Sequence, residues 1–261
     1  MKTTNYLLII AISLFTLAAC TSKDKQEESG TMNDSYFNYL SSKMDTINTI
    51  NTMMDTSNCA QYSLDYSNER NERYLATLLC DNKGDVHVME ELITTKERLI
   101  TKNRFYYAAE GRLFATLSER QTKKDTVFVF TEEVNFYDND GKIERSFKRI
   151  TKDDVEGDYL PSKDNIVMKN ERIMQAMNNE GEFTLSFQGI IKTDNLDYLI
   201  VGGSGRTSYT SALQIEANTP FIKDIYVNEI QYVGKKIAVN FERKIMGNFS
   251  YQVFVAGKWL E

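Results

Sequence analysis

The sequence predicts a mainly β, α+β protein: an antiparallel β-meander packed with an N-terminal helix, followed by a small OB-like or sandwich-like β domain. Three observations predict it. Large apolar residues recur at spacings of three and four over residues 35–56, the period shortens to two from residue 72 onward, and Gly-bearing turns separate the alternating runs. The 261 residues are 41% hydrophobic, with 15 Tyr and 14 Phe, which is enough for a packed core and excludes global disorder.

The helix is read over 35–56, with Asp34 or Ser35 as its N-cap. Phe37, Leu40, Met44, Ile47, Asn51 and Met54 form one face, broken only by Asn51. A short coiled coil with Asn51 setting its register is one reading. Packing on the helix's own domain is the other, and so few heptads favour it.

From 72 to 151, turn signals fall at Asp81-Asn82-Lys83-Gly84, Ala109-Glu110-Gly111 and Asp138-Asn139-Asp140-Gly141. Each Gly supplies the positive φ that a tight hairpin requires. The text nearly repeats: Tyr107 stands four residues before Gly111, Tyr137 four before Gly141, and Cys80 four before Gly84. Three hairpins follow, at about 72–94, 98–120 and 126–151, joined by polar turns such as 121–125. Phe128, Phe130, Val134 and Phe136 alternate onto one face, where the helix is expected to lie. These hairpins resemble repeat units common in envelope lipoproteins.

Pro161-Ser162 is expected to open a connector helix running to Asn178, with Ile166, Ile173, Met174 and Met177 inward. Strands are read at 183–192, 196–201, 207–217, 235–243 and 249–255, with a short helix or irregular turn at 220–232. Five strands with a helix after the third resemble an OB-type barrel. The expected organisation is 1–19, 20–34, 35–160, 161–181 and 182–261, with the domain boundary in the connector.

The first two segments carry the cellular address. Lys2 precedes an apolar run from Tyr6 to Leu17, YLLIIAISLFTL. Twelve helical residues reach only ~18 Å, short of the ~30 Å hydrocarbon core, so the run reads as a signal-peptide core. It ends in Leu17-Ala18-Ala19-Cys20, which resembles the lipobox of bacterial lipoproteins. The resemblance implies cleavage before Cys20, diacylglycerol on its sulfur, and stable anchoring by two or more acyl chains. Residues 20–34 then form a polar tether. Thr21 in place of Asp is similar to outer-membrane rather than inner-membrane lipoproteins of Gram-negative cells. Asp24, Glu27 and Glu28 resemble a surface-export signal, which favours the cell surface over the periplasmic face.

The remaining chemistry is sparse. Ser204 sits in Gly202-Gly203-Ser204-Gly205-Arg206, but the last position departs from G-x-S-x-G and no helix follows. The lone histidine, His87, is on a distant strand. Placing Gly141 sixth in a calcium loop puts Phe136 first and Phe147 twelfth, where neither offers oxygen. Cys59 and Cys80 are read as a disulfide or as two thiols, and with His87 they supply only three metal ligands. No catalytic motif, cofactor or metal is expected, and the chain is read as non-enzymatic.

Charge gives the last signal. The formal charge is −6, which argues against nucleic acid as a partner. Yet residues 96–152 hold 13 Lys/Arg against nine acids. Arg104, Phe105, Tyr107, Arg112, Tyr137, Arg145 and Arg149 therefore form a candidate binding surface for an envelope protein, an acidic glycan or a lipid headgroup. A solvated face over an aromatic core is the competing reading. The expected role is binding or scaffolding at the outer membrane. The alternatives are an accessory or immunity-type partner of an envelope machine, and a carboxylate-based glycan hydrolase.

Overall fold

The computed structural model describes residues 34–260, apart from 58, 109, 153–154, 164–165, 206–207 and 248. The expected signal peptide, Cys20 and most of the tether lie outside the described residues, as does Arg206. Helix α1 spans Asp34–Thr56. Its buried residues, Leu40, Ile47 and Met54, are seven apart and face the chain's own sheet against Val88, Tyr106, Ala115, Leu117, Val134, Phe136 and Phe147. At ~1.5–3 kcal/mol for each large side chain, this burial holds the helix on the sheet. The helix therefore packs at home and not in a coiled coil.

Strands β1 (Cys59–Tyr62) and β2 (Tyr66–Ser67) lead into the meander. Its six strands are β3 (Arg73–Cys80), β4 (Val86–Thr94), β5 (Ile100–Tyr107), β6 (Leu113–Lys124), β7 (Val127–Tyr137) and β8 (Ile143–Lys152). All neighbours pair antiparallel, as the repeats predict. Gly84, Gly111 and Gly141 all have positive φ. Beside each turn the register slips at the same place, giving Cys80↔Val86, Tyr107↔Leu113 and Tyr137↔Ile143. The fixed four-residue interval in the sequence is thus the interval from bulge to glycine. Residues 121–124 extend β6 and are not a turn; the reversal is at Asp125, with φ of 57°.

The connector differs from expectation. Strands β9 (Val155–Glu156) and β10 (Leu160–Pro161) add to the edge of β8, and Pro161 opens no helix. An edge position suits proline, which lacks the N–H a central strand donates. Helix α2 begins later and spans Glu171–Asn178, burying Ile173 and Ala176, while Ile166 and Met174 are exposed. A 3-10 turn at Gly181–Phe183 follows.

Strands β11 (Ser186–Lys192), β12 (Asp197–Gly202) and β13 (Thr210–Ile215), helix α3 (Pro220–Tyr232), and strands β14 (Ile237–Met246) and β15 (Phe249–Trp259) complete the chain. The antiparallel run β11-β12-β13 meets β15 in parallel at Gln214↔Val253, and β15 pairs β14. A bridge from Ser186 to Lys236 returns the start of β14 to β11. Five strands with a helix after the third thus curl into an OB-like arrangement.

The expected boundary at 161–181 does not separate two cores. β2 pairs β13, so both halves share one sheet. One apolar cluster contains Tyr66, Tyr74, Leu78 and Phe105 from the first half together with Phe183, Leu199, Leu213 and Phe254 from the second. Gln252 stitches the join: its Oε1 accepts from Asp65 N at 2.8 Å and its Nε2 donates to Ser63 O at 3.0 Å. Arg172 on α2 lies 4.5 Å from the centroid of the Tyr74 ring, and donates to Glu182 at 2.7 Å and to the Tyr209 hydroxyl at 2.8 Å. Cys59 and Cys80 are joined in a disulfide pinning β1 to β3, a closure contributing ~3 kcal/mol on the chain-entropy view. Both sulfurs are therefore used, and His87 Nε2 lies 3.4 Å from Asp81 instead.

Burial raises the phenols of Tyr66 and Tyr74 above their ordinary 10.0, and for Tyr74 the neighbouring Glu91 adds to the effect. Above that pH the unfolded chain releases protons that the native state retains. The contribution of these two phenols is therefore fully present below pH 10 and is lost as pH rises beyond it, by ~1.4 kcal/mol per pH unit for each phenol. Urea midpoints followed across pH 9–12 check this, and Tyr74→Phe is expected to remove its share of the slope.

Candidate functional site

Alternation along β5–β8 decides which of the predicted surface residues can meet. Residues 104 and 105 are adjacent on a strand, so their side chains point to opposite faces. Arg104, Arg145 and Arg149 share the α1 face, in register with buried members of the α1 cluster or with the rung beyond it. Phe105, Tyr107 and Tyr137 point the other way. Phe105 is in the shared core, Tyr107 accepts from Asn170 at 2.7 Å, and the Tyr137 hydroxyl lies 3.3 Å from Thr116 Oγ1. Arg112 is exposed at a hairpin turn. The candidate surface of seven residues is therefore not one surface, and its aromatics are core.

Three of its four arginines, Arg104, Arg145 and Arg149, are also engaged within the chain. Arg145 stacks on α1, 4.8 Å from the Tyr36 centroid and 4.3 Å from that of Tyr39. Arg104 Nε donates to Glu90 at 2.8 Å, and its Nη1 lies 3.7 Å from Glu119. Burial alone lowers the pKa of Arg104, but Glu90 and Glu119 outweigh it and hold the guanidinium more firmly charged than usual. Arg149 donates to Glu132 at 2.7 Å, pairs with Glu156 and lies 4.7 Å from the centroid of Tyr159. Two of the acids these arginines meet, Glu90 and Glu156, lie outside residues 96–152 and so offset part of the positive surplus read from the sequence.

The structure brings together a different site on the same face. α1 crosses the sheet near the glycine turns, from Tyr39 beside Phe136 and Phe147 to Ser57, whose hydroxyl donates to the Cys80 carbonyl. Past the helix, Leu92, Lys102, Glu119, Glu132 and Arg149 stand opposite one another across five strands. Glu119 and Glu132 are like charges in direct register, an unfavourable pair on its own. Arg104 and Arg149 flank them and offset the repulsion. One rung further, Ile100, Gln121, Phe130 and Thr151 join Lys102, Glu119 and Glu132 to line a cleft of about 370 Å³.

Phe130 is 46% exposed and Phe128 43%, although both are on the face expected to lie under the helix. Lys123 Nζ sits 5.9 Å from the Phe128 centroid. An apolar floor bordered by matched ion pairs suits an apolar segment with polar edges, because such a surface has little net field to attract a polyanion.

The other face of the meander carries a polar ladder that the sequence reading missed. Tyr74 OH donates to Glu91 at 3.0 Å, Asn103 donates to Glu91 at 2.7 Å, and Ser118 donates to Asn103 at 2.7 Å. Further along, Ser146 donates to Asn135 at 2.6 Å, and Asn135 reaches the Ile166 carbonyl at 3.1 Å. The Asn135 bond ties the connector down over this face. Ser204 is exposed in the loop between β12 and β13.

Comparisons of the chain with protein-family models, with curated proteins and with solved structures find no match.

If Phe128 and Phe130 belong to a surface and not to the core, each change to Ser shifts stability by about 1 kcal/mol or less. Phe136→Ala, within the helix-covered layer, is expected to cost ~3–5 kcal/mol. Urea denaturation of the three variants measures the contrast.

Proposed function

We propose that the protein is a lipid-anchored component of the bacterial outer membrane with a non-enzymatic binding role, and that the uncovered end of its meander face engages another envelope protein. The observation that carries this reading is the pair Phe128 and Phe130, held with Ile100 beside a neutralised charged rung on a face whose other half the chain itself covers. Large apolar side chains exposed on a rigid sheet are favoured contacts for a protein segment that presents apolar groups at strand or helix spacing. Pairing of Arg104 and Arg149 with carboxylates favours such a partner over an acidic glycan. The anchor is inferred from Leu17-Ala18-Ala19-Cys20 behind its short apolar run.

Two measurements test the two halves of the proposal. Replacing Cys20 with Ser is expected to abolish metabolic palmitate labelling and release the protein from the membrane fraction; unchanged labelling refutes the anchor. A photo-reactive amino acid at position 130 in intact cells is expected to yield one dominant protein adduct, lost on competition with untagged protein. No adduct at 130, with retention of the purified protein on an array of envelope glycans, refutes the protein-binding role and turns the reading toward carbohydrate.

A further inference from the structure

The hairpin between β14 and β15 departs from what a solvent-exposed turn demands. Its end reads Ile245-Met246-Gly247-Asn248-Phe249, where polar turn residues are the norm. Ile245 is 79% exposed, Met246 67% and Phe249 75%. Gly247 takes a φ of 60°, which lets the chain reverse with large side chains on either side of it.

Register settles how these side chains are disposed. Met246 stands opposite Phe249, Ile245 opposite Ser250, and Lys244 opposite Tyr251. Neighbours on a strand point to opposite faces, so Ile245 projects on one side of the ribbon while Met246 and Phe249 project on the other. Among the described residues, β15 meets β13 only at Val253 and β14 meets β11 only through the Lys236 bridge, so the outer part of the ribbon pairs only with itself. Both faces of a protruding ribbon are therefore apolar at its end.

Just behind the end comes a collar of different chemistry. Lys244 pairs with Glu216 at 2.5 Å, Arg243 donates to Ser250 at 2.9 Å, and Tyr251 is half-buried. An apolar tip followed by basic and tyrosine side chains is the order found in segments that dip into a bilayer, where aromatic and long cationic side chains sit at headgroup level. A flat protein surface covers one face of a ribbon, whereas lipid surrounds both.

We propose that the Ile245–Phe249 hairpin end inserts into the lipid surface, as a second membrane contact besides the acyl anchor. The proposal rests on the anchored reading only for the nearness of a bilayer. The unlipidated chain from Thr21 contains every described residue, and with it both apolar clusters and the disulfide, so it serves as the test protein. It is expected to co-sediment with vesicles of phosphatidylethanolamine and phosphatidylglycerol, and the double variant Ile245→Ser with Phe249→Ser to partition at least about tenfold less. The side chains changed are solvent-exposed, so the thermal midpoint is expected to hold.

In a second arm, the lipidated protein carries a nitrobenzoxadiazole dye on Ile245→Cys, and on Glu110→Cys as control. A blue shift and quenching by nitroxide lipids are expected at 245 alone. Equal vesicle partitioning of parent and double variant overturns the proposal, as does a dye at 245 that reports water. A photo-adduct from position 249 to a protein, with no vesicle binding, overturns it in favour of a protein pocket. The vesicle arm does not depend on whether Cys20 is acylated, since its test protein omits that residue, so failure there is distinct from failure of the anchor.

Discussion

A single α-helix is about 10 Å across, while a strand advances ~3.4 Å per residue. β6 and β7, of 12 and 11 residues, are each more than three helix widths long. α1 can therefore shelter only the rungs nearest the glycine turns, containing Ala115, Leu117, Val134, Phe136 and Phe147. Everything beyond must either carry charge or remain apolar and exposed. The chain does both in sequence along the strands: ion pairs at Lys102, Glu119, Glu132 and Arg149, then Ile100 and Phe130, then Phe128. The exposed part of this face is what is left of the sheet after one helix has been placed on it.

The same constraint accounts for the C-terminal half. The opposite face of β3–β5 has no helix of its own from the N-terminal segment, and α2 and the barrel-like strands fill that position. Arg172 is at the centre of the arrangement, with Tyr74 from the meander under its guanidinium and Tyr209 and Glu182 accepting its N–H groups. Arg172 is half-buried, and its partners replace the hydration it loses, so it ties together the relative placement of three elements at once. Burial lowers its pKa, yet Glu182 and the surrounding oxygens overcome that and keep it charged.

Much of this was legible in the residues. The hairpins could be read because Gly84, Gly111 and Gly141 meet a backbone requirement that few residues satisfy, and the bulge four residues upstream leaves a trace in Cys80, Tyr107 and Tyr137. α1 could be read because its period is strong. Pro161 misled because a proline suits an edge strand as well as a helix start, and only the partner strand β8 decides between them. The candidate surface misled for a plainer reason: Arg104 and Phe105 are neighbours in the chain, which on a strand places them back to back. How far α1 extends over the strands is a tertiary quantity, and so the exposure of Phe128 and Phe130 left no local mark. The apolar turn at 245–249 did leave one, in five consecutive residues holding a single strongly polar side chain, Asn248.

Positive residues adjacent in sequence also overstate the field they create. Between 96 and 152 the basic surplus is real as a count, but cross-strand register sets Lys102 and Arg104 beside Glu90 and Arg149 beside Glu132. Paired charges at these separations act over little more than their own contact distance, and salt shortens the range further. What they contribute, on the proposed protein-binding reading, is orientation: a partner has to complement two central acids, Glu119 and Glu132, flanked by Lys102 and Arg149, while its apolar groups meet Phe130. On that proposed reading, affinity comes from the aromatic floor and selectivity from the rung, so removing the phenylalanines weakens every partner alike, whereas reversing Glu132 and Arg149 together changes which partner fits.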